Sequence, residues 1–464
     1  LTASLLKIIN SIPRDLEGDV FGKVYEYFLG KFASSEGKGG GEYYTPTSVV
    51  RLMVEMIEPY KGRILDPACG SGGMFVQSAD FVQRSNDRPD RISVYGIEKE
   101  NETVKLARMN MFLHGLNGNI VQANSYYSDP HNSFGTFDFV MANPPFNVDD
   151  VSYDKVKDDP RFNTFGIPKN KTKSKSKDGE TVPNANYLWI NQFATALNDT
   201  GRAALVMASI ATDAGKSEAE IRARLVEDGI VNAMLSLPSN MFFSVTLPAT
   251  LWFFDKARRE DKRVLFINAR NFYKQIDRAH REFTDEHIAN LACIRHIYQG
   301  DEVHWHLLMS HYDSRIHDLT AKYESCVEEK NAATIEAESF LSENPGKNLK
   351  TDIKRRIDAA DAALADAEKV LTHFTSMRQW LIDNFPDGKY RDVIGLCKAA
   401  SIDEIREQDY SLNPGRYVGV SFDVEDLNDF RESMTALKSE LSALNDKSNE
   451  LMESIVGHLN QLGV

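Results

Sequence analysis

Between residue 47 and about residue 283, short apolar runs alternate with stretches whose apolar positions recur every three or four residues. The short runs predict strands at 63–66, 92–97, 119–122, 137–141, 203–207, 231–236, 249–254 and 264–267. The longer periodic stretches predict helices at 73–85, 101–113, 185–197 and 217–226. Alternation of this kind implies an α/β fold with a mostly parallel, doubly wound sheet covered on both faces. Ahead of it, residues 1–30 read as helical, with Leu5, Leu6, Ile8, Ile9, Val20, Val24 and Phe28 as apolar contacts. Gly37-Lys38-Gly39-Gly40-Gly41 then reads as a mobile loop.

After about Leu307 the period changes. Ile316, Leu319, Tyr323, Cys326, Ala333, Ala337 and Phe340 follow steps of three and four, interrupted at Lys330. Ile353, Ile357, Ala360, Leu364, Ala367, Leu371 and Phe374 repeat the pattern. A third run, Leu427, Phe430, Met434, Leu437, Leu441, Leu444, Ser448, Leu451, Ile455, His458 and Leu462, is the cleanest coiled-coil seam. Asn344-Pro345-Gly346 separates the first two helices, and Pro386-Asp387-Gly388 ends the second. The expected divisions are a helical segment with its Gly-rich loop (1–40), a catalytic domain (41–307), a helical hairpin (308–385), a connector (386–424) and a C-terminal coiled-coil helix (425–464).

Composition narrows the class. The chain has 464 residues, 42% hydrophobic and 26% charged, as in ordinary globular proteins, which excludes a mainly disordered, collagen-like or purely coiled-coil chain. No apolar run approaches the ~18 residues that span a bilayer, so no membrane is expected. No basic-then-apolar leader is visible, and Cys69, Cys293, Cys326 and Cys397 lack metal spacing. A reduced, cytoplasmic protein with no bound metal is the expectation. The first residue is Leu1, not Met, so an upstream segment is expected. The net charge is −14, which alone argues against nucleic acid. Its distribution softens that: residues 321–464 hold 17 basic and 27 acidic residues, a net −10, leaving −4 for the first 320.

Three short elements carry chemistry. Strand 63–66 ends in Asp66, and Pro67-Ala68-Cys69-Gly70-Ser71-Gly72-Gly73 leads into a helix. Such a turn lets a ligand approach backbone closely at a helix start, although it also serves as an ordinary βα turn. It has neither the dinucleotide spacing nor the Lys-Ser/Thr of a phosphate loop. The next strand ends in Glu98, where a carboxylate can accept from two ribose hydroxyls; together the two elements suit a nucleoside-bearing ligand. Asn143-Pro144-Pro145-Phe146 follows the strand at 137–141. The prolines stop the strand and free its carbonyls. The Asn oxygen and a Pro carbonyl can accept from an amino group on a planar ring, and Phe can cover that ring.

These elements, in this order, resemble the N6-adenine DNA methyltransferases that use S-adenosyl-L-methionine. Gly41-Glu42-Tyr43-Tyr44-Thr45-Pro46 ahead of the Gly-rich turn is similar to the subclass whose cofactor motifs all precede the catalytic tetrapeptide. More narrowly, the chain resembles the modification subunit of type I restriction–modification enzymes. Leu237-Pro238-Ser239-Asn240-Met241-Phe242, Leu247 to Phe254, Val264 to Arg270 and Ser411-Leu412-Asn413-Pro414-Gly415-Arg416-Tyr417 extend the likeness over nearly the whole chain. The resemblance implies a seven-stranded methyltransferase sheet. It implies that Glu42, Tyr43, Tyr44, Thr45, Pro46 and Thr47 line the methionine end of the cofactor. Asp66, Gly70, Ser71, Gly72 and Gly73 would hold its amino-acid part, Glu98 its ribose, and Asn124 its adenine, where the broader family often has Asp. Asn143, Pro144, Pro145 and Phe146 would hold the target base as the catalytic set. The implied partners are double-stranded DNA, a specificity subunit, a second copy of the chain and a restriction subunit.

Lys169, Lys171, Lys173, Lys175 and Lys177 alternate with polar residues soon after the tetrapeptide, a position that suits DNA phosphate; a solvated surface is the plain alternative. Lys256, Arg258, Arg259, Lys262 and Arg263 form a second basic stretch. Cys69 reads as a packing residue. Two other functions fit parts of the pattern. Methylation of a protein glutamine amide also uses Asn-Pro-Pro, usually followed by Tyr. A non-catalytic scaffold would not need intact cofactor and base motifs. No β-rich recognition domain follows the sheet, so this chain is not expected to choose its own DNA sequence.

Overall fold

The period-2 alternation of the apolar runs is resolved into two separate cores. Ile64, Met141, Val206, Leu235 and Phe253 belong to one, and their strand neighbours Leu65, Ala142, Leu205, Met234 and Phe254 to the other. A sheet buried on both faces sorts its side chains in this way. The computed structural model describes residues 45–85, 89–169, 180–242, 248–257, 262–277, 280–346 and 348–420, with Met434 and Lys438. The expected helix in 1–30, Glu42, Tyr43, Tyr44, Lys171, Lys173, Lys175, Lys177 and nearly all of the last seam lie outside the described residues.

Among the described residues, the strands of the main sheet are β1 (Gly62–Asp66), β2 (Ile92–Glu98), β3 (Gly118–Gln122), β4 (Phe137–Ala142), β5 (Leu197–Ala208), β6 (Val231–Ser236), β7 (Ala249–Asp255), β8 (Val264–Asn268) and β9 (Cys397–Ala400). Their order is β9-β8-β6-β7-β5-β4-β1-β2-β3. Strands β3 to β5 across β1 run parallel, β7 runs antiparallel between β5 and β6, and β9 runs antiparallel along β8. The expected seven strands are therefore nine. Strand β8 lies parallel to β6 and is buried at Val264, Leu265, Phe266 and Ile267, so its outer edge needs a partner. The four-residue β9 supplies it, far too short to be read from periodicity.

The helices α1 (Thr47–Ile57), α2 (Gly73–Arg84), α3 (Asn101–Leu113), α4 (Asn186–Ala196), α5 (Ser217–Glu227) and α6 (Asp285–Tyr298) cover the sheet. Apolar residues of α1, α2, α3 and α6 join the first core, and those of α4 and α5 the second. Two long helices follow, α7 (Glu302–Glu343) and α8 (Thr351–Asn384). They pack on each other, burying Tyr312, Leu319, Cys326 and Ala333 of α7 and Ile353, Ala360 and Ala367 of α8. The seven-residue spacing is that of a coiled-coil seam with small residues at its centre. Helix α7 runs through the expected 307/308 division without interruption.

The stretch expected to be a connector supplies β9 and then folds back on the sheet. Tyr417 stacks on Phe266 at 3.9 Å, and Asn413 and Arg416 bind Asp213 at 3.0 and 3.3 Å. The chain divides after Val418 into this unit and a second one, Gly419–Val464.

A buried ion pair ties α1 to α6. Arg295 Nη1 donates to Glu58 Oε2 at 2.9 Å, and Arg202 Nη1 reaches the same oxygen at 3.3 Å. Burial alone would raise the Glu58 carboxyl, but Arg295, His296 and Arg202 hold it below its usual value. The Arg295 side chain is only 5% exposed. Glu58→Ala is expected to cost about 3–5 kcal/mol by stranding that guanidinium, with Glu58→Gln intermediate; urea unfolding midpoints check the order.

Candidate active site

Chain order reverses about β1: β2 and β3 lie on one side, β4 and β5 on the other. Parallel strands leave a crevice beyond their carboxyl ends at such a switch point, where open α/β sheets bind ligands. Asp66 ends β1, Glu98 ends β2, and Asn143 follows β4, so one crevice edge receives all three.

Asp66 is 1% exposed, and its Oδ1 accepts from Ala68 N at 2.9 Å. Burial raises its pKa well above the usual carboxylate value, and the Glu98 carboxylate adds to the rise. Glu98 Oε2 accepts from Gly70 N at 3.1 Å and Oε1 from Glu100 N at 2.8 Å, so this acid also holds the Gly-rich turn. Two carboxylates converge here, one buried with no ion pair among the described residues, which favours a positively charged ligand group.

The glycines divide by role. At Gly70 and Gly73 an added Cβ would meet nothing within 4 Å, leaving open space against backbone. Gly70 and Gly72 both lie in the left-handed region, at φ +50° and +85°, and at Gly72 a Cβ would also stand 2.8 Å from Met111 Cε on α3. The turn therefore needs glycine at both positions for its backbone conformation. Asn110 Nδ2 donates to the Ser71 carbonyl at 2.9 Å and fixes the turn from α3.

Cys69 is buried, and burial followed by Asp66 and Glu98 pushes its thiol well up, so no thiolate is available. A Cβ at Gly96 would come within 2.8 Å of its sulfur, which marks it as a packing residue. Asn124 is half-buried, and its Oδ1 accepts from Tyr126 N at 3.0 Å, so one of two lone-pair positions is occupied.

Asn143 is the most telling side chain. Its Nδ2 donates to Thr45 Oγ1 at 3.0 Å, while its Oδ1 is buried and has no hydrogen-bond partner among the described residues. A buried acceptor without a donor costs about 1–3 kcal/mol unless something else supplies the hydrogen. Pro144 is buried and Pro145 exposed, while half-buried Phe146 packs against both cores. The Pro46 carbonyl accepts from Val49 N and Val50 N, so Pro46 and Thr47 start α1.

A cluster that the sequence reading missed sets the chain path after the tetrapeptide. Asn147, at φ +58°, donates from its backbone N to Asn186 Oδ1 at 2.8 Å. Its Oδ1 accepts from Asn184 Nδ2 and Asn186 Nδ2, both at 3.0 Å. Asn184-Ala185-Asn186 at a helix start was the available signal, but helix capping accounts for it equally well. Lys169 is exposed, and its backbone N donates to Ser217 Oγ at 3.0 Å; it is not among the residues these bonds bring together.

Sheet order and crevice define the fold of S-adenosylmethionine-dependent methyltransferases. The family described as N-6 DNA Methylase matches residues 16–313 and 347–426, and the chain belongs to it. A type I restriction enzyme methylase subunit (MjaIX) of Methanocaldococcus jannaschii is 32% identical over 448 residues, covering 96% of this chain and 63% of that protein. The HindI methylase subunit of Haemophilus influenzae is 31% identical over 447 residues, covering 96% and 79%. The crystal structure of a type I restriction-modification system methyltransferase subunit from Streptococcus thermophilus shares the fold. Its TM-score is 0.58 at 24% identity, over 87% of this chain and 65% of that one. The chain thus spans about two-thirds of the first of these relatives and of this solved structure.

Proposed function

We propose that this chain transfers the methyl group of S-adenosyl-L-methionine to N6 of a flipped-out adenine in DNA. It does so as the modification subunit of a type I restriction–modification complex whose specificity subunit reads the sequence. The observation that carries this reading is the Oδ1 of Asn143, just after β4, which is buried and has no partner among the described residues. An exocyclic amino group is the donor it lacks. The family's description, N-6 DNA Methylase, supplies the substrate class.

Adenine N6 is paired in a duplex, so the base leaves the stack at a cost of a few kcal/mol. Its lone pair is delocalised into the ring. Asn143 Oδ1 and the Pro144 carbonyl accept its two hydrogens and draw the nitrogen toward a pyramidal, nucleophilic form, while Phe146 covers the ring. When bound, S-adenosyl-L-methionine supplies an already activated sulfonium methyl. The chain's task is alignment for in-line attack. Asp66 and the Ser71-Gly72-Gly73 turn hold the cofactor's amino-acid part, Glu98 its ribose, Asn124 its adenine, and the Glu42–Thr47 stretch its methionine end. The lysines at 169, 171, 173, 175 and 177 meet DNA phosphate, and the complex works in the cytoplasm with a second copy of the chain and a restriction subunit. Transfer of radiolabelled methyl to DNA, against transfer to protein, with and without the specificity subunit, tests the reading.

Asp66 must be ionised to hold an ammonium group. Its raised pKa means that this charge is lost, as pH falls, well before an exposed aspartate would lose it. Cofactor affinity is expected to fall on acidification, starting above the range in which an exposed aspartate protonates, and Asp66→Asn to weaken and flatten the profile; calorimetry as a function of pH checks it.

The 427–462 seam, with its acidic surroundings, suits docking on long helices of the specificity subunit. The seams of α7 and α8 already bury one another. Deleting everything after Asp423 is expected to spare cofactor binding by the isolated chain. Co-purification with the specificity subunit and sequence-specific methylation should both be lost.

A further inference from the structure

Resting on the adenine-methylation reading, the geometry points to Thr45 as a positioning residue that turns the Asn143 amide so that its oxygen, not its NH2, faces the base. A side-chain amide presents either end after half a turn about its last torsion, and only one end is useful here. The reacting amine offers two hydrogens and must keep its lone pair for the methyl group. An NH2 in the place of Oδ1 would set donor against donor.

The hydrogen bond from Asn143 Nδ2 to Thr45 Oγ1, at 3.0 Å, holds the amide with its NH2 on the hydroxyl. One N–H is then satisfied, and Oδ1 is left buried and without a partner among the described residues, as the acceptor for the base. In the reversed amide the threonine hydroxyl would donate to the oxygen, and both N–H groups would sit beside an amine with no acceptor to spare. Burial makes that arrangement costly.

Thr45 can act this way because its place is rigid. It immediately precedes Pro46, whose carbonyl caps two amides of α1. Val49, Val50, Leu52, Met53 and Val54 anchor that helix in the core. A hydroxyl set 98 residues away in sequence is thus fixed against the tetrapeptide. The resemblance to known methyltransferases puts Thr45 in the segment at the cofactor's methionine end; its hydroxyl is the part that Asn143 engages, so the role proposed for that hydroxyl is toward the base.

The test uses the full chain assembled with its specificity subunit and compares wild type, Thr45→Val, Thr45→Ala and Thr45→Ser. Single-turnover methylation is measured at saturating cofactor and DNA. S-adenosyl-L-methionine affinity is measured by calorimetry, and base capture by fluorescence of 2-aminopurine at the target position. Thr45→Val and Thr45→Ala are expected to lower the single-turnover rate by about 10- to 100-fold and to reduce capture, while cofactor affinity stays within about twofold. Thr45→Ser, which keeps the hydroxyl, should recover to within about threefold of wild type. A Thr45→Ala rate equal to wild type overturns the proposal, as does a rate loss matched by weaker cofactor binding. If the wild-type complex methylates no DNA adenine, the underlying function is wrong. If it does and the Thr45 variants match it, only the positioning role is.

Discussion

Asn143→Ala is expected to abolish methyl transfer while leaving the affinity for S-adenosyl-L-methionine nearly unchanged. The two halves separate because Asn143 bonds Thr45, whereas Asp66 and Glu98 bond the backbone of Ala68 and Gly70. Removing the amide deletes an acceptor needed most in the transition state, when the amine becomes more pyramidal and its hydrogens more acidic. Losing one such preorganised partner costs on the order of 10²–10³-fold in turnover. Stability should not suffer, because the variant also removes a buried unsatisfied oxygen. Calorimetry, a methylation assay and a thermal melt cover the three statements. Near-wild-type turnover would remove Asn143 from the reaction.

Gly72→Val should fail through its own backbone as well as through the contact that its place in a Gly-rich turn suggests. Its backbone sits at φ +85°, where a β-branched residue costs about 1–2 kcal/mol. The new Cβ also lands 2.8 Å from Met111 Cε, the flexible end of a side chain that can shift, so the backbone strain is the larger cost. The variant is expected to melt several degrees lower and to bind cofactor poorly. Gly73→Ala is the control. Its φ lies outside the left-handed region and nothing lies within 4 Å of the added carbon, so its stability should stay near wild type while its cofactor affinity falls. If Gly72→Val melted like wild type and only lost binding, Gly72 would be a ligand-facing position after all.

Much of the site was legible because its chemistry is carried by neighbours in sequence. The acid of β1 and its glycine turn, the acid of β2 and the tetrapeptide after β4 are each contiguous. The rules that make them informative, strand-ending prolines and permissive glycines, are local. The contact between Thr45 and Asn143 was not legible. The two residues lie 98 positions apart, and nothing in either segment specifies the other. Nor could the sequence assign Gly72 to Met111, since that close approach is set by how α2 packs on α3. The Asn147, Asn184 and Asn186 cluster was missed because asparagines near a helix start are adequately explained by capping.

By itself the sequence determined where strands β1 to β8 and the long helices lie. Burial on both faces of a sheet, or along one seam of a helix, imposes a period that survives in the order of residues. Strand direction and neighbours leave no such trace. The antiparallel β7 between β5 and β6, and the short β9 on the edge of β8, were decided by which edges remained unpaired once the chain had closed. The free oxygen of Asn143 is of the same kind. The sequence placed an amide at the end of β4, and only the tertiary structure set its Nδ2 against the Thr45 hydroxyl and left Oδ1 buried without a partner among the described residues.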